Sequence, residues 1–409
     1  MEKGLFESFL CKLEVELLIC KEMIQRALSP FIQKAFKKMP VVAVTGPRQS
    51  GKSTLLKMLF PTLAYANLED LEKRRFAESD PKGFLSDLGF PAVIDEIQYV
   101  PDLLSYIQVI SDEQGRNGLY VISGSNNLLL MESVSQSLAG RVAIFNLLPF
   151  SLREIDGSEY RLNSWRDYIF QGFYPRIYDQ DLEPSEWLAD YIKTYVERDV
   201  RQLVNVSDLS AFRHFMELCA GRIGQLVNLS DIGTLVGVSY QTIKKWMSVL
   251  ETGFIIHLLR PYHRNFNKRI SKSPKLYFYD TGLACNLLGI RNAEELNRHF
   301  AMGALFENFV INEILKNHLN SNLTPRMYFF NAAGNMEVDL VMEQAGRLIP
   351  VEIKASQTIN PAFFKNLEKF SGLAGVPADD RYVIYGGEEV QKRSLGNVLS
   401  WRKLEHLPL

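Results

Sequence analysis

One stretch constrains this chain more than any other. The apolar run Val41-Val42-Ala43-Val44-Thr45 leads into Gly46-Pro47-Arg48-Gln49-Ser50-Gly51-Lys52-Ser53, and the helical pattern TLLKMLF follows. The spacing G-x-x-x-x-G-K-S between a strand and a helix is that of a phosphate-binding loop. Its glycines let backbone N–H groups turn inward around phosphate oxygens, and the helix N-terminus adds partial positive charge. Lys52 is expected to reach the β and γ phosphates and the Ser53 hydroxyl to ligate Mg²⁺. The expected nucleotide contacts are Gly46, Pro47, Arg48, Gln49, Ser50, Gly51, Lys52, Ser53, Thr54 and Ser125, with ATP and Mg²⁺ as the ligands.

The motif has a partner downstream. Ala92-Val93-Ile94-Asp95-Glu96 is an apolar strand ending in two acids. Asp95 is expected to hold Mg²⁺ through water and Glu96 to act as general base on the attacking water. Two acids after a strand also serve as a helix cap or as solvated charge; both motifs in order favour the nucleotide reading. A small-molecule kinase also fits a P-loop, but the Asp95-Glu96 pair argues against it. GLYVISGS (118–125) is a further strand, and Ser125 and Asn126 at its end either sense the γ-phosphate or cap the next helix. Arg141 precedes the strand VAIFNL (142–147). It is either a surface arginine or an arginine finger, in cis or from a neighbouring subunit of a homo-oligomer. With YANLED (65–70) and helices near 102–113 and 127–138, the pattern is a parallel α/β sheet with helices on both faces.

Length and composition fit several globular domains. The chain has 409 residues, 46% hydrophobic and 23% charged, and a formal net charge of −1. That balance excludes a chain-wide basic footprint for nucleic acid and leaves local patches. Cys11, Cys20, Cys219 and Cys285 are far apart, which argues against a zinc site or disulfide framework and for a reducing compartment. No run approaches the ~18 apolar residues of a membrane span, so a cytoplasmic protein without membrane contact is expected. Residues 1–22 read as a helical extension, with Met23 an alternative start.

Beyond Pro149 the strands stop. Residues 164–204 read as lid helices broken at GFYP (172–175) and LEP (182–184). Leu229–Ser239 followed by YQTIKKWMSVLETG reads as helix, glycine turn, helix, and strands near 254–260 and 276–279 would complete a winged helix. Ser239 caps its second helix, whose polar face is Gln241, Thr242, Lys244 and Lys245, while Ile243, Trp246, Val249 and Leu250 face a core. His263, Arg264, Lys268, Arg269, Lys272 and Lys275 make the intervening loop the most basic segment, suited to DNA phosphates. The bland reading is a lid or relay packed on the ATPase domain.

From about residue 300, a helix precedes strands at 327–331, 336–342 and 347–354, then a helix (361–373) and a strand (381–385). Asp339 and Glu352-Ile353-Lys354 have the pattern of an acid followed by [DE]-x-K on the next strand. Glu352 and Lys354 share one strand face, and the turn at Gln344-Ala345-Gly346 would bring Asp339 across to them. Two carboxylates binding Mg²⁺, Asp339 and Glu352, with Lys354 beside them and Glu307 as a third acid, would suit a metal-dependent nuclease. The alternative is a set of cross-strand ion pairs on an exposed hairpin.

GPRQSGKSTLL, VIDEIQ, SGSNNLLL, SLAGRV, LLPFSLREI, GFYPRI and YVERDVRQL together resemble an AAA-type ATPase family of bacteria and archaea. SPKLYFYDTGLACNLLG, LFENFVINEI, EVDLVM and PVEIKAS resemble its paired C-terminal domain, which is similar to a PD-(D/E)XK nuclease. The resemblance covers about residues 24–409. It implies a P-loop ATPase domain with helical lid (23–204), a winged-helix domain (205–285) and a nuclease-like domain (286–409). Gln171 stands where the family usually has a second glycine.

Overall fold

The computed structural model describes residues 23–125, 137–196, 208–262, 273–332 and 336–408. Two sheets organise them. The first has five strands: β1 (Val41–Thr45), β2 (Ala64–Asn67), β3 (Ala92–Asp95), β4 (Tyr120–Gly124) and β5 (Val142–Asn146). Their order is β2-β3-β4-β1-β5, and every pairing is parallel. The continuous apolar runs follow from burial on both faces: β1, β3 and β4 are buried at every position. α1 (Ser29–Phe36), α2 (Lys52–Leu59), α3 (Leu71–Ser79), α4 (Pro81–Leu88) and α5 (Leu103–Gln114) accompany this sheet. The helix expected at 127–138 lies almost wholly outside the described residues, as does Asn126.

After β5 comes α6 (Leu152–Asp156), a helix outside the sequence-based expectations, and then α7 (Trp165–Gln171), α8 (Pro175–Asp179) and α9 (Pro184–Tyr191), broken helices within the expected stretch 164–204. Gln171 is the last residue of α7, and Gly172 ends that helix at φ 72. A Cβ on Gly172 would lie 2.4 Å from Asp280 Oδ1. Asp280 is buried, and its other oxygen accepts the Phe173 N–H at 2.7 Å. Glycine is required there because the turn is pressed onto a buried carboxylate.

α10 (Leu209–Ala220), α11 (Leu229–Val236) and α12 (Tyr240–Thr252) follow. Gly237 closes α11 in the left-handed region at φ 80, and the Ser239 hydroxyl accepts the Thr242 N–H at 3.1 Å. Gln241, Lys244 and Lys245 are exposed, and Ile243, Trp246, Val249 and Leu250 are buried. The expected polar and apolar faces are both present. β6 (Ile256–Pro261) and β7 (Lys275–Phe278) then form an antiparallel hairpin. Its basic residues His263, Arg264, Lys268, Arg269 and Lys272 lie outside the described residues.

α13 (Thr281–Leu287) and α14 (Met302–Asn320) lead into the second sheet, completed by β8 (Met327–Ala332), β9 (Met336–Gln344), β10 (Arg347–Lys354), β11 (Tyr382–Tyr385), β12 (Gln391–Arg393) and β13 (Gly396–Ser400), with α15 (Lys365–Ala374). The order is β12-β13-β11-β10-β9-β8-β6-β7. β6 pairs parallel with β8, so the sheet crosses the expected boundary at 285/286. One apolar core runs from Phe150 to Leu407 through the helices after β5, the middle segment and the C-terminal segment. The β9–β10 hairpin is not on the surface. Ile349, Val351 and Ile353 pack into that core, and Val341, Leu348 and Val383 pack with α15. Its turn residues Ala345 and Gly346 both have positive φ, 47 and 79, as a two-residue hairpin of this twist demands.

Candidate nucleotide site and C-terminal acid cluster

In a parallel sheet the strands point one way, so their C-terminal ends converge on one edge. β1 delivers the loop from Gly46, β3 delivers Asp95 and Glu96, and β4 delivers Ser123 and Ser125. Gly46 has φ 152, and a Cβ there would lie 2.1 Å from the Leu147 carbonyl oxygen. Gln49 and Gly51 adopt left-handed φ values of 63 and 89. Lys52 is buried and donates to the carbonyls of Gly46 at 3.0 Å and Pro47 at 2.8 Å. Burial pushes its ammonium pKa down, and Glu96 and Asp95 oppose that shift. Ser50 is fully buried, and its hydroxyl has no partner among the described residues. A loop with an orphaned hydroxyl and a lysine resting on its own carbonyls fits an incoming polyphosphate.

Asp95 is fully buried. The Tyr65 hydroxyl donates to its Oδ2 at 2.5 Å, and Ser123 donates to its Oδ1. Burial first, and then the bond to Asp95, raise the Tyr65 pKa. Ser53, the other expected Mg²⁺ contact, acts on the same phenol and pulls its pKa down. Glu96 sits in the left-handed region, φ 57 and ψ 45. Its Oε2 accepts from Ser125 Oγ at 2.9 Å and from Gln98 Nε2. Ser125 is thus tied to the expected base, whatever else it meets.

The structure does not bring Arg141 to this site. The Val41 N–H donates to the Arg141 carbonyl at 3.1 Å, which puts Arg141 at the N-terminal edge of the sheet. The length of β1 separates it from the loop, about 15 Å at ~3.3 Å per residue. Its guanidinium is paired with Asp112 on α5, Nε to Oδ1 at 2.5 Å. A finger acting in cis is excluded by that geometry.

Residues that the sequence did not single out complete the site. Arg26 donates to the Ser50 carbonyl at 2.8 Å, the Leu148 carbonyl at 2.6 Å and Glu154 Oε1 at 3.1 Å. Its partners lie up to 128 residues away, which local pattern cannot reveal. Tyr191 of α9 donates to the Arg48 carbonyl at 3.3 Å, and Pro175 Cγ lies 3.8 Å from where a Gly51 Cβ would be. A cavity of about 460 Å³ opens beside the loop, lined by Met23, Ile24, Thr54, Met58, Pro175 and Tyr178 among others. α8 and the segment before α1 thus form a chamber of mixed polar and apolar lining beside the phosphate loop, with Arg26, Arg176 and Asp179 also in its wall.

The second expected site also assembles, with a different composition. Lys354 Nζ lies between Glu352 Oε1 at 2.7 Å and Asp339 Oδ2 at 3.2 Å. Asp339 Oδ2 also accepts the Ile353 N–H at 2.8 Å. Glu307 accepts from the Tyr277 hydroxyl at 2.5 Å and pairs with Lys275 at 3.4 Å. Lys275 is a correction to the basic-loop reading. It is 3% exposed and also pairs with Glu337 at 2.5 Å. The K-x-Y and E-x-D spacings put Lys275 with Tyr277 and Glu337 with Asp339 on shared strand faces, the one signal that could have found them. Burial and the Asp339 charge push Glu307 and Glu352 up to about 7 each, against the pull of the lysines. Glu352 Oε2 is buried without a partner among the described residues. Among the described residues, no three His, Cys, Asp or Glu side chains form a group that could hold a metal ion. The Glu352 oxygen left without a partner fits a cation contact, while Lys354 and Lys275 already pair with the surrounding acids.

α14 joins the two regions. Lys316 donates to the Phe150 carbonyl at 2.8 Å and to Glu313 Oε1 at 2.8 Å, and Glu313 Oε2 accepts the Leu152 N–H at 2.5 Å. The same helix carries Glu307, and the loop it grips is the one that Arg26 and Glu154 tie to the P-loop.

Among the described residues no helix is long and apolar enough to cross a membrane. Residues 38–156 match the AAA domain family, 162–294 match domain of unknown function DUF8612, and 302–404 match domain of unknown function DUF4143. Uncharacterised proteins of Mycobacterium tuberculosis and Mycobacterium bovis are each 30% identical over 374 residues, covering 90% of this chain and 81% of theirs. An uncharacterised protein of Haemophilus influenzae is 23% identical over 366 residues, 82% of this chain and 86% of that one. Among solved structures, a Walker-type ATPase of Pyrococcus abyssi aligns with TM-score 0.43 and 14% identity, over 63% of this chain and 94% of its own. AMPPCP-bound DnaA from Aquifex aeolicus aligns with TM-score 0.29 and 13% identity, over 55% and 86%. The chain belongs to the same family as the mycobacterial proteins, and its residues 38–156 are an AAA-type P-loop ATPase domain.

Proposed function

We propose that the protein is an Mg²⁺-dependent ATPase whose nucleotide state governs a C-terminal, nuclease-like, DNA-contacting region. The observation that carries the ATPase reading is the convergence of Lys52, Asp95, Glu96 and the orphaned Ser50 hydroxyl at one sheet edge. The triphosphate lies along residues 46–53, and the base occupies the chamber between Met23, Ile24 and the lid. Ser53 and Asp95 hold Mg²⁺, which neutralises phosphate charge when bound. Glu96 takes the proton of the attacking water. The test is Mg²⁺-ATP binding and turnover by wild type and Glu96→Gln. Binding kept with turnover lost supports the reading, and turnover at the wild-type rate in the variant excludes Glu96 as the base.

The exposed Gln241, Lys244 and Lys245 on α12 suit a DNA groove, and the orphaned Glu352 oxygen beside Asp339 suits a divalent cation. A second reading is favoured by the lysines already paired within the acid cluster: a nucleotide-dependent switch that binds a protein partner without cutting DNA. Mg²⁺- or Mn²⁺-dependent nicking that disappears in Asp339→Ala and Lys354→Ala separates the two.

A further inference from the structure

We propose that Arg26 is a positioning residue of the phosphate loop: it holds the Ser50–Gly51 peptide so that the Gly51 N–H faces the phosphates. The inference rests on the ATPase reading above and adds a residue to it. Arg26 lies just before α1 and is 6% exposed. Its guanidinium donates to acceptors from separate parts of the chain: the Ser50 carbonyl at 2.8 Å, the Leu148 carbonyl at 2.6 Å and Glu154 Oε1 at 3.1 Å. Glu154 is anchored in turn by the N–H groups of Ala27 and Ser151, both at 2.8 Å. A planar fork held in three directions does not follow one partner when that partner moves. Arg26 therefore stands on the segment 148–154 and reaches the loop from outside.

The planarity of the peptide unit carries that hold across the loop. In a trans peptide the C=O and the following N–H point in opposite directions. With the Ser50 carbonyl turned to Arg26, the Gly51 N–H is turned away from it, to the other side of the loop. Among the described residues that N–H has no acceptor. Gln49 and Gly51, on either side of Ser50, are left-handed, φ 63 and 89, and turns of this kind build anion-binding concavities. Glycine tolerates either sign of φ, so the Ser50–Gly51 peptide flips readily unless something holds it. Flipped, it would aim a carbonyl oxygen at the phosphates and withdraw the donor. A charge-assisted bond from a buried arginine opposes that flip.

Arg26 keeps its hold when the ligand arrives. The carbonyls of Gly46 and Pro47 are held by Lys52 Nζ, at 3.0 and 2.8 Å. Lys52 is the group expected to turn to the β and γ phosphates, and it then releases both. The three acceptors of Arg26 are protein groups that stay in place. Removing its side chain leaves Glu154 the two N–H donors and the Ser151 hydroxyl at 3.2 Å. The buried carboxylate thus keeps partners, and the loss falls on the Ser50 and Leu148 carbonyls.

The test compares wild type with Arg26→Met and Arg26→Lys. Dissociation constants are read for Mg²⁺-AMPPNP and for Mg²⁺-tripolyphosphate, which has the phosphates and no base. Arg26 also lines the chamber assigned to the base, and the second probe separates the two roles. The expected result in Arg26→Met is a loss of about 10–100-fold for both ligands, equal within about threefold. Arg26→Lys should not restore it, because a compact ammonium cannot serve three fixed directions. A role confined to stability lowers Tm and leaves both constants at wild-type values, which overturns the inference. Loss for AMPPNP alone overturns it by assigning Arg26 to the base chamber. Wild-type affinity in Arg26→Lys overturns it by showing that a point charge suffices. If Arg26→Met does not fold, Arg26→Lys decides by the same comparison of ligands. Wild type that binds neither ligand overturns the nucleotide reading and this inference with it, whereas wild-type binding with unaffected variants overturns this inference alone.

Discussion

Glu352→Gln should stabilise the protein, and the gain should depend on pH in a stated direction. Glu352 is buried, with one oxygen on Lys354 and the other without a partner among the described residues. Burial and repulsion from Asp339 raise its pKa from 4.5 to about 7. A folded-state value above the unfolded one means that the folded protein holds the proton more tightly. Stability from this group is therefore fully present below pH 4.5 and is lost as pH rises through about 7. A rise of that size corresponds to roughly 3 kcal/mol of penalty at pH 8. The neutral amide escapes it, but Lys354 loses one of two charged partners, which offsets about 1 kcal/mol. The expected net gain is about 2 kcal/mol at pH 8, or a Tm increase of about 4–8 °C for a cooperative unit of 150–250 residues. At pH 5 most of that gain should be gone, because wild-type Glu352 is already protonated. Thermal melts of both proteins in EDTA at pH 8 and pH 5 provide the measurement. A variant less stable than wild type at pH 8, or a gain equal at both pH values, would refute the account of Glu352 as a charge held against repulsion.

Two further outcomes follow from contacts elsewhere. Gly46→Ala places a methyl group against the Leu147 carbonyl, 2.1 Å away before any relaxation; nucleotide affinity in a titration should fall at least tenfold, with the second sheet's hydrogen-exchange protection unchanged. Lys316→Met removes the cation beside buried Glu313 and leaves it the Leu152 N–H, so urea unfolding should report a loss of about 3–5 kcal/mol.

Much of the nucleotide site was legible in the sequence because its chemistry is local. Glycines at 46 and 51, a lysine at 52 and a hydroxyl at 53 work through backbone positions fixed by one strand–turn–helix. Asp95 and Glu96 follow an apolar strand, and a parallel sheet carries them to the same edge. The faces of α12 were equally legible, since helical periodicity alone separates Lys244 and Lys245 from Trp246 and Leu250. The triad of Asp339, Glu352 and Lys354 was found by spacing, although its burial was not.

What the sequence left open are matters of distance along the chain and of packing. Arg141 stands next to a strand in sequence, yet the direction of that strand puts it at the far edge, against Asp112. Lys275 looks like one more cation in a basic loop, but β7 carries it into the sheet between Glu307 and Glu337. Arg26, Glu154, Glu313 and Lys316 carry no local signature; they matter because folding brings the loop at 148–152 between the P-loop and α14. Periodicity and motif report which groups a segment presents. Only the closed core decides which buried charge meets which, because a desolvated ion or amide must find its partner wherever in the chain that partner lies.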